Sequence, residues 1–360
     1  MLEKYREPII VNNKGLREKS KDMQKHFDES KKELERFPTK NGVIVDANYV
    51  DMVSCPICQN EKTKQYLVKW GGRYDLCEKC DHIFLKNRLK LSILNDLYKN
   101  SLADQLSRAV KLNKFSKDYW SCVYLKYIEI IKKISPAAGE SSLLDIGCGA
   151  GTFCKEAVSQ GLNVFANDIY DEVVKTLSPI VGRNNVECSS IENISSKNKY
   201  DVITLWGVME HIPSAHTVFK TAKRLCTKGG LLVILIPNLK SRAFRFLGVD
   251  TPTLNPRQHV NFYSDKSIGI LAKKYNFYLI GDPKRKRDLD LLVVVKEDVN
   301  IPLSEPEFTR LLSEASQLEP ELVRLGKLDL NFINMGPENN ISQDQSVNNL
   351  QLPNVMSNYT

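Results

Sequence analysis

The chain has 360 residues, 42% of them apolar and 26% charged, with 51 Lys plus Arg against 43 Asp plus Glu. Such a balance belongs to a folded globular protein and excludes wholesale disorder, while the length allows two domains or one large domain with appendages. The longest apolar runs, such as Leu231 to Pro237, fall far short of the roughly 20 residues of a membrane span. Residues 1–30 also lack the apolar core of a secretory leader, so a cytoplasmic location is expected.

The net charge of +8 is unevenly spread: residues 301–360 carry three basic and eight acidic side chains, which leaves +13 on the first 300. A basic body can favour nucleic acid, phosphorylated substrates or anionic surfaces, and is equally common in Lys-rich proteins with no such partner.

In chain order, residues 1–50 form a charged extension in which Leu16, Met23, Phe27 and Leu34 fall on one helical seam. Either a solvated helix docked on the body or a short self-associating coil fits that seam. Residues 51–85 are short, turn-rich and cysteine-bearing. Residues 86–135 read as a helical linker, with Leu89, Ile93, Leu94, Leu97 and Tyr98, then Tyr124, Ile128 and Ile131, at helical spacing. Residues 136–297 change pattern. SLLDIG, LNVFAND, NNVEC, YDVITLWG and GLLVILIP alternate with amphipathic stretches, which predicts a mainly parallel sheet with helices on both faces. Residues 298–330 read as a helical extension, and the Asn/Gln-rich residues 331–360 as a disordered tail.

Cys55-Pro-Ile-Cys58 and Cys77-Glu-Lys-Cys80 are 18 residues apart, the spacing of a four-thiolate zinc site. Two thiolates two residues apart can both turn inward in a tight knuckle, and the second pair closes the tetrahedron. Four protein ligands leave no position for water, so such a zinc would be structural. The aromatics Tyr66, Trp70 and Tyr74 with Lys62, Lys64, Lys69 and Arg73 fit either a nucleic-acid face or packing around a small site.

The main chemical signal is Leu143-Leu144-Asp145-Ile146-Gly147-Cys148-Gly149-Ala150-Gly151, an apolar strand running into closely spaced glycines and then a helix. Glycine lets backbone approach a ligand, and the helix N-terminus offers N–H groups. A nicotinamide fingerprint would need glycine at Thr152. The second strand ends at Asp168, where an acid can accept both ribose hydroxyls of a nucleoside.

These residues closely resemble the class I S-adenosylmethionine-dependent methyltransferases. The resemblance runs on through Tyr200-Asp201-Val202-Ile203-Thr204, Val208-Met209-Glu210-His211-Ile212-Pro213, Lys228-Gly229-Gly230-Leu231 and Ile236-Pro237-Asn238, covering residues 120–297. The subset is similar to the small-molecule O- and N-methyltransferases related to the ubiquinone-biosynthesis enzymes. A zinc ribbon ahead of such a domain resembles proteins of sugar and surface-polysaccharide modification. The implied fold is α/β: a Rossmann-like seven-stranded sheet with helices on both faces, preceded by the small zinc-ribbon segment and helical linker.

Carried over by position, the resemblance implies that Asp145, Gly147, Gly149 and Gly151 hold the methionine part of S-adenosylmethionine. It gives Asp168 the ribose, Ile169, Ser190 and Ile191 the adenine, and Leu205 and Trp206 the approach to the sulfonium. Some relatives bind a metal near here through two acids and a histidine. Glu210 and His211 fit, but Gly207 stands where the other acid would be, and no magnesium is implied.

Methyl transfer needs the acceptor aligned and, for a hydroxyl, its proton removed. Of the five histidines, His211 follows the fourth strand at the ligand edge, and His259 lies in the long connection after the fifth. They are the candidate catalytic residues, His259 first. His26, His82 and His216 read as ordinary. Lys284-Arg285-Lys286-Arg287 reads as a charged hairpin tip between the last two strands rather than a localisation signal. The expected function is methylation of a hydroxyl or amine on a small polar acceptor, such as a sugar or glycan precursor. The alternative is a zinc-ribbon nucleic-acid-binding protein whose methyltransferase domain acts on RNA or is inactive.

Overall fold

The computed structural model describes residues 13–112, most of 120–135, 141–239, 244, 248–251, 253–280 and 289–296. The expected helical extension at 298–330, the tail at 331–360 and the basic tip at 284–287 lie outside the described residues.

Helix α1 (Asn13–Glu35) packs against α3 (Leu102–Leu112), with α2 (Leu91–Asn100) just before it. On α1 the buried stripe is His26, Ser30 and Leu34, each four residues from the last, with Phe27 only half-buried. The side chains of Leu16 and Met23 lie outside the described residues.

The strands β1 (Thr39–Lys40) and β2 (Val43–Ile44) form a small hairpin, and β3 (Val50–Met52) pairs with β7 (Asn87–Leu89). Between them β4 (Lys64–Lys69), β5 (Gly72–Cys77) and β6 (His82–Leu85) pair in succession, antiparallel. The first residues of the expected helical linker are thus a strand. The buried Asn87 amide donates to the carbonyls of Ile44 and Gly71, at 2.7 and 2.9 Å, which ties this stretch to the strands before it. Helix begins only at Leu91.

The central sheet is built from β8 (Ser142–Ile146), β9 (Asn163–Asp168), β10 (Val186–Cys188), β11 (Tyr200–Trp206), β12 (Cys226–Pro237), β14 (Phe277–Ile280) and β15 (Leu289–Lys296). Their spatial order is β10-β9-β8-β11-β12-β15-β14. The first five are parallel, and β15 runs antiparallel to both β12 and β14. Helices α4 (Thr152–Ser159), α5 (Asp171–Val181), α6 (Ala215–Leu225) and α7 (Asp265–Lys274) connect or flank them.

Alternation along each strand fills two layers. Leu143, Val202, Leu231 and Val233 pack on one face with Phe153, Leu177, Tyr127 and Ile131. Leu144, Ile203, Leu232 and Ile234 pack on the other with Val218, Phe219, Ile268 and Leu271. Near-continuous apolar strands are what burial on both faces demands. The strand order reverses between β8 and β11, so a crevice opens at their carboxyl ends, where open α/β sheets take ligands.

The cysteine-bearing segment is not a separate bead. Strand β13 (Asn261–Phe262), from the connection after β12, adds to its sheet in the order β13-β6-β5-β4. Cys55, Cys77, Cys80 and Phe84 share one buried cluster with Phe219 of α6 and Leu271 of α7. Gly72 has no room for a side chain, since a Cβ there would lie 2.4 Å from Pro256. Among the described residues, no helix is long and apolar enough to cross a membrane.

Candidate active site

The loop after β8 turns through three glycines with positive φ: 71° at Gly147, 53° at Gly149 and 70° at Gly151. The three differ in what they face. A Cβ at Gly147 would strike Val208, and one at Gly151 would strike Leu177. At Gly149 the nearest atom is the Gly147 carbonyl oxygen at 3.9 Å, so this glycine faces open space beside the crevice. Its N–H donates to Oδ2 of Asp168 at 2.8 Å, while Oδ1 accepts from the Tyr170 N–H at 3.1 Å. The acid that ends β9 is therefore held against the loop that ends β8.

Ile169 follows with 63% of its surface exposed, an uncovered apolar side chain at the end of β9. Ser190 is half-buried at the start of a short turn of helix, and Ile191 is buried. Leu205 is fully buried in the core, so only its backbone reaches the edge. Trp206 is half-buried among Tyr124, Tyr127 and Phe153, at ring separations of 5.2, 5.5 and 4.7 Å. Its indole Nε1 is buried with no hydrogen-bond partner among the described residues. An open glycine cradle, an uncovered apolar side chain and an orphaned N–H suit S-adenosylmethionine.

Asp145 lies below the loop. Its carboxylate accepts from the Thr204 hydroxyl at 2.7 Å and the Cys154 thiol at 3.3 Å. Burial nonetheless dominates and pushes its pKa up to about 7.

Beyond β11, Glu210 and His211 sit on a short turn of helix, Met209–His211. The connection after β12 brings His259 to them. The two imidazoles meet edge to face with centroids 4.6 Å apart. Glu210 is buried, and its Oε1 lies 3.9 Å from His211 Nε2. One ligating atom from each of Glu210, His211 and His259 lies within 4.8 Å of the others. Each ring is oriented through Nδ1, which donates to a backbone carbonyl: Gln258 at 3.0 Å for His211, Thr253 at 2.6 Å for His259. That bond fixes the tautomer and leaves the lone pair on Nε2.

The other histidines are structural. His26 bonds to the Ala103 carbonyl and His216 to the Ile57 carbonyl, while His82 is fully buried beside Asn261.

Two partners of this edge had no local signal in the sequence. Arg257, fully buried, makes a bidentate pair with Asp104 and lies 2.9 Å from Glu33, which ties the histidine-bearing connection to α1 and α3. Asn261 is the other, with partners spread over the segment and both loops.

At the knuckles the Sγ separations are 3.5 Å for Cys55–Cys80, 3.5 Å for Cys58–Cys77 and 3.6 Å for Cys58–Cys80. A tetrahedral metal with bonds of about 2.3 Å would hold sulfurs about 3.8 Å apart, so the four cysteines can hold a metal ion with little movement. Residues after each CxxC, Gln59 and Asp81, take positive φ and close the turns. Of the basic and aromatic residues nearby, Tyr74, Arg73 and Lys69 make internal contacts, while Lys62 and Lys64 are exposed. Tyr74 is fully buried, Arg73 pairs with Asp75 at 2.6 Å, and Lys69 donates to the Thr251 carbonyl at 3.0 Å. Tyr66 stacks on Phe244.

Residues 119–281 match the family described as "Methyltransferase domain". The chain is 27% identical over 156 residues to the ubiquinone biosynthesis O-methyltransferase of Rickettsia canadensis, covering 39% of this chain and 66% of that protein. It is 30% identical over 108 residues to the enzyme of that name from Maricaulis maris, covering 28% and 42%. The chain thus spans well under the full length of the curated relatives it matches. Among solved structures it is similar to a 1,6-didemethyltoxoflavin-N1-methyltransferase of Burkholderia thailandensis, at 12% identity and TM-score 0.41, covering 65% of this chain and all of that one. A S-adenosylmethionine-dependent methyltransferase of Clostridium acetobutylicum gives 15%, TM-score 0.39, 55% and 100%. Residues 119–281 are thus an S-adenosylmethionine-dependent methyltransferase domain, in which Asp168 is held against the glycine loop.

Proposed function

We propose that this protein moves a methyl group from S-adenosylmethionine to a hydroxyl or amine of a small polar acceptor, a sugar or glycan precursor being the chemistry favoured. One observation carries the reading: the facing pair His211 and His259 sits at the same sheet edge as the glycine loop. The cofactor supplies an electrophilic methyl carbon on a sulfonium, which leaves as a thioether. Gly147, Gly149, Gly151 and Asp168 would hold it from the β8 and β9 side, with Ile169, Ser190 and Ile191 available to the adenine and Trp206 to the sulfonium end. The chain's own chemical task is then alignment and proton removal.

His259 is the candidate base. The Thr253 carbonyl holds its Nδ1–H, so Nε2 is the atom that accepts the acceptor's proton as the oxygen or nitrogen bonds to the methyl carbon. His211, held in the same tautomer by Gln258, orients the acceptor beside it. The cysteine cluster takes structural zinc, which stabilises a segment with little core of its own.

Calorimetry with S-adenosylhomocysteine, then methyl transfer from labelled cofactor to a panel of nucleotide sugars, free sugars and amines, tests the reading. Tight binding of the first with turnover on a small acceptor supports it. No binding, or transfer only to RNA, overturns it.

A further inference from the structure

Asn261 lies where the cysteine-bearing segment meets the acceptor edge. Its side chain is fully buried and is hydrogen-bonded through both ends of the amide. Oδ1 accepts from His82 Nε2 and from an Arg88 guanidinium N–H, each at 3.1 Å. Nδ2 donates to the Ile212 carbonyl at 2.7 Å. His82 is two residues beyond Cys80 on β6, Ile212 directly follows His211, and Asn261 itself is two residues beyond His259. One amide therefore touches the knuckle strand and the backbone beside both candidate histidines.

Its two ends suit their neighbours chemically. The Asn261 amide oxygen can only accept, so His82 offers it Nε2–H. Two donors require an acceptor on one side, and a carbonyl requires a donor on the other. Asn supplies both, Asp only the acceptors, and an aliphatic residue neither. The surrounding bonds run the same way. The Leu85 N–H donates to the Val260 carbonyl at 3.0 Å, the Val260 N–H to the Glu210 carbonyl at 2.9 Å, and the Tyr74 hydroxyl to the His259 carbonyl at 2.9 Å. The cofactor loop is held differently, by Asp168 and by the β8–β9 backbone, with Gly147 and Cys148 donating to the Asn167 carbonyl.

We propose that Asn261 is a positioning residue through which the four-cysteine segment sets the geometry of His211 and His259, independently of cofactor binding. The inference rests on reading those two histidines as the acceptor groups. It makes the segment a wall of the acceptor site rather than a separate module.

Long-range proton–nitrogen spectra of the five imidazoles in the full chain, assigned by single substitutions, test it alongside S-adenosylhomocysteine calorimetry and metal analysis. Asn261→Asp removes the donor to Ile212 and keeps both acceptors. The His211 and His259 signals should shift while those of His26 and His216 stay, metal content should hold, and cofactor-product affinity should change by no more than about twofold. Cys77→Ser should move His82, His216, His211 and His259, leave His26, and again spare that affinity. If Asn261→Asp does not fold, Tyr74→Phe decides by whether the His259 signal moves. Unmoved His211 and His259 signals, or equal movement of all five, overturn the proposal. A wild-type chain that binds no S-adenosylhomocysteine defeats the proposed function instead, and the imidazole comparison still decides the positioning.

Discussion

The Tyr74 hydroxyl donates to the backbone carbonyl of His259 across 2.9 Å and 185 residues of sequence. Tyr74 is fully buried on the middle strand of the cysteine-bearing sheet, and burial pushes its hydroxyl pKa well up, so it stays a donor. The contact joins a segment that reads as a zinc module to a loop that reads as part of an enzyme. The His259 connection is therefore tied to the cysteine-bearing sheet as well as to Glu210 beyond β11.

For the cofactor side, Asp168→Ala is expected to weaken S-adenosylhomocysteine binding by on the order of 2–4 kcal/mol, roughly 30- to 1,000-fold in Kd. The charge-assisted bonds to the ribose vanish, and so does the Gly149 N–H bond that shapes the loop. Isothermal calorimetry reads it. Unchanged affinity in a folded variant would remove the nucleoside assignment.

Asp145 gives a pH test. Burial raises its pKa to about 7 in the folded chain, above the ordinary carboxylate value, so the folded state binds the extra proton and charging the group costs stability as pH rises through 7. Asp145→Asn, neutral throughout, should therefore raise the thermal midpoint of the cofactor-free protein more at pH 8 than at pH 5. Binding a cofactor that carries positive charge favours the carboxylate, so affinity in the wild type should fall as pH drops below about 7. A stability difference independent of pH contradicts the assignment.

His259→Ala should lower turnover by roughly 100-fold or more if the acceptor is a hydroxyl, with cofactor affinity almost unchanged. Steady-state kinetics at saturating acceptor separates the chemical loss from weaker binding. Full activity would pass the role to His211 or to alignment alone.

The purified protein should carry about one zinc per chain in the cysteine site. Cys77→Ser should lose it and expose residues 51–85 to protease, while the central sheet stays folded because its two apolar layers are built mainly from its own helices. Elemental analysis of chelator-free protein finding no zinc speaks against the site.

The sequence by itself determined the central α/β fold and the glycine turn after its first strand. Those features are local: apolar strands with period two, and glycines that must take positive φ. The two CxxC pairs were equally legible, because knuckle geometry needs only two intervening residues. Helical periodicity misread Asn87–Leu89, where pairing with Val50–Met52 and a buried amide outweighed a pattern shared with the following helix.

What only the tertiary structure decided is the meeting of His211 with His259 and the contacts that hold them. His211 and His259 are 48 residues apart and their rings lie 4.6 Å from one another. Asn261 bridges 179 residues to His82, and Arg257 bridges 153 to Asp104. Nothing in composition or spacing marks these pairs, because long-range contacts arise where separately formed elements pack, and a buried polar group finds its partner on whichever chain segment packing delivers. The joining of β13 to the cysteine-bearing sheet is the same kind of event. It depended on an edge strand being open, and on Gly72 leaving room for Pro256 to come against it.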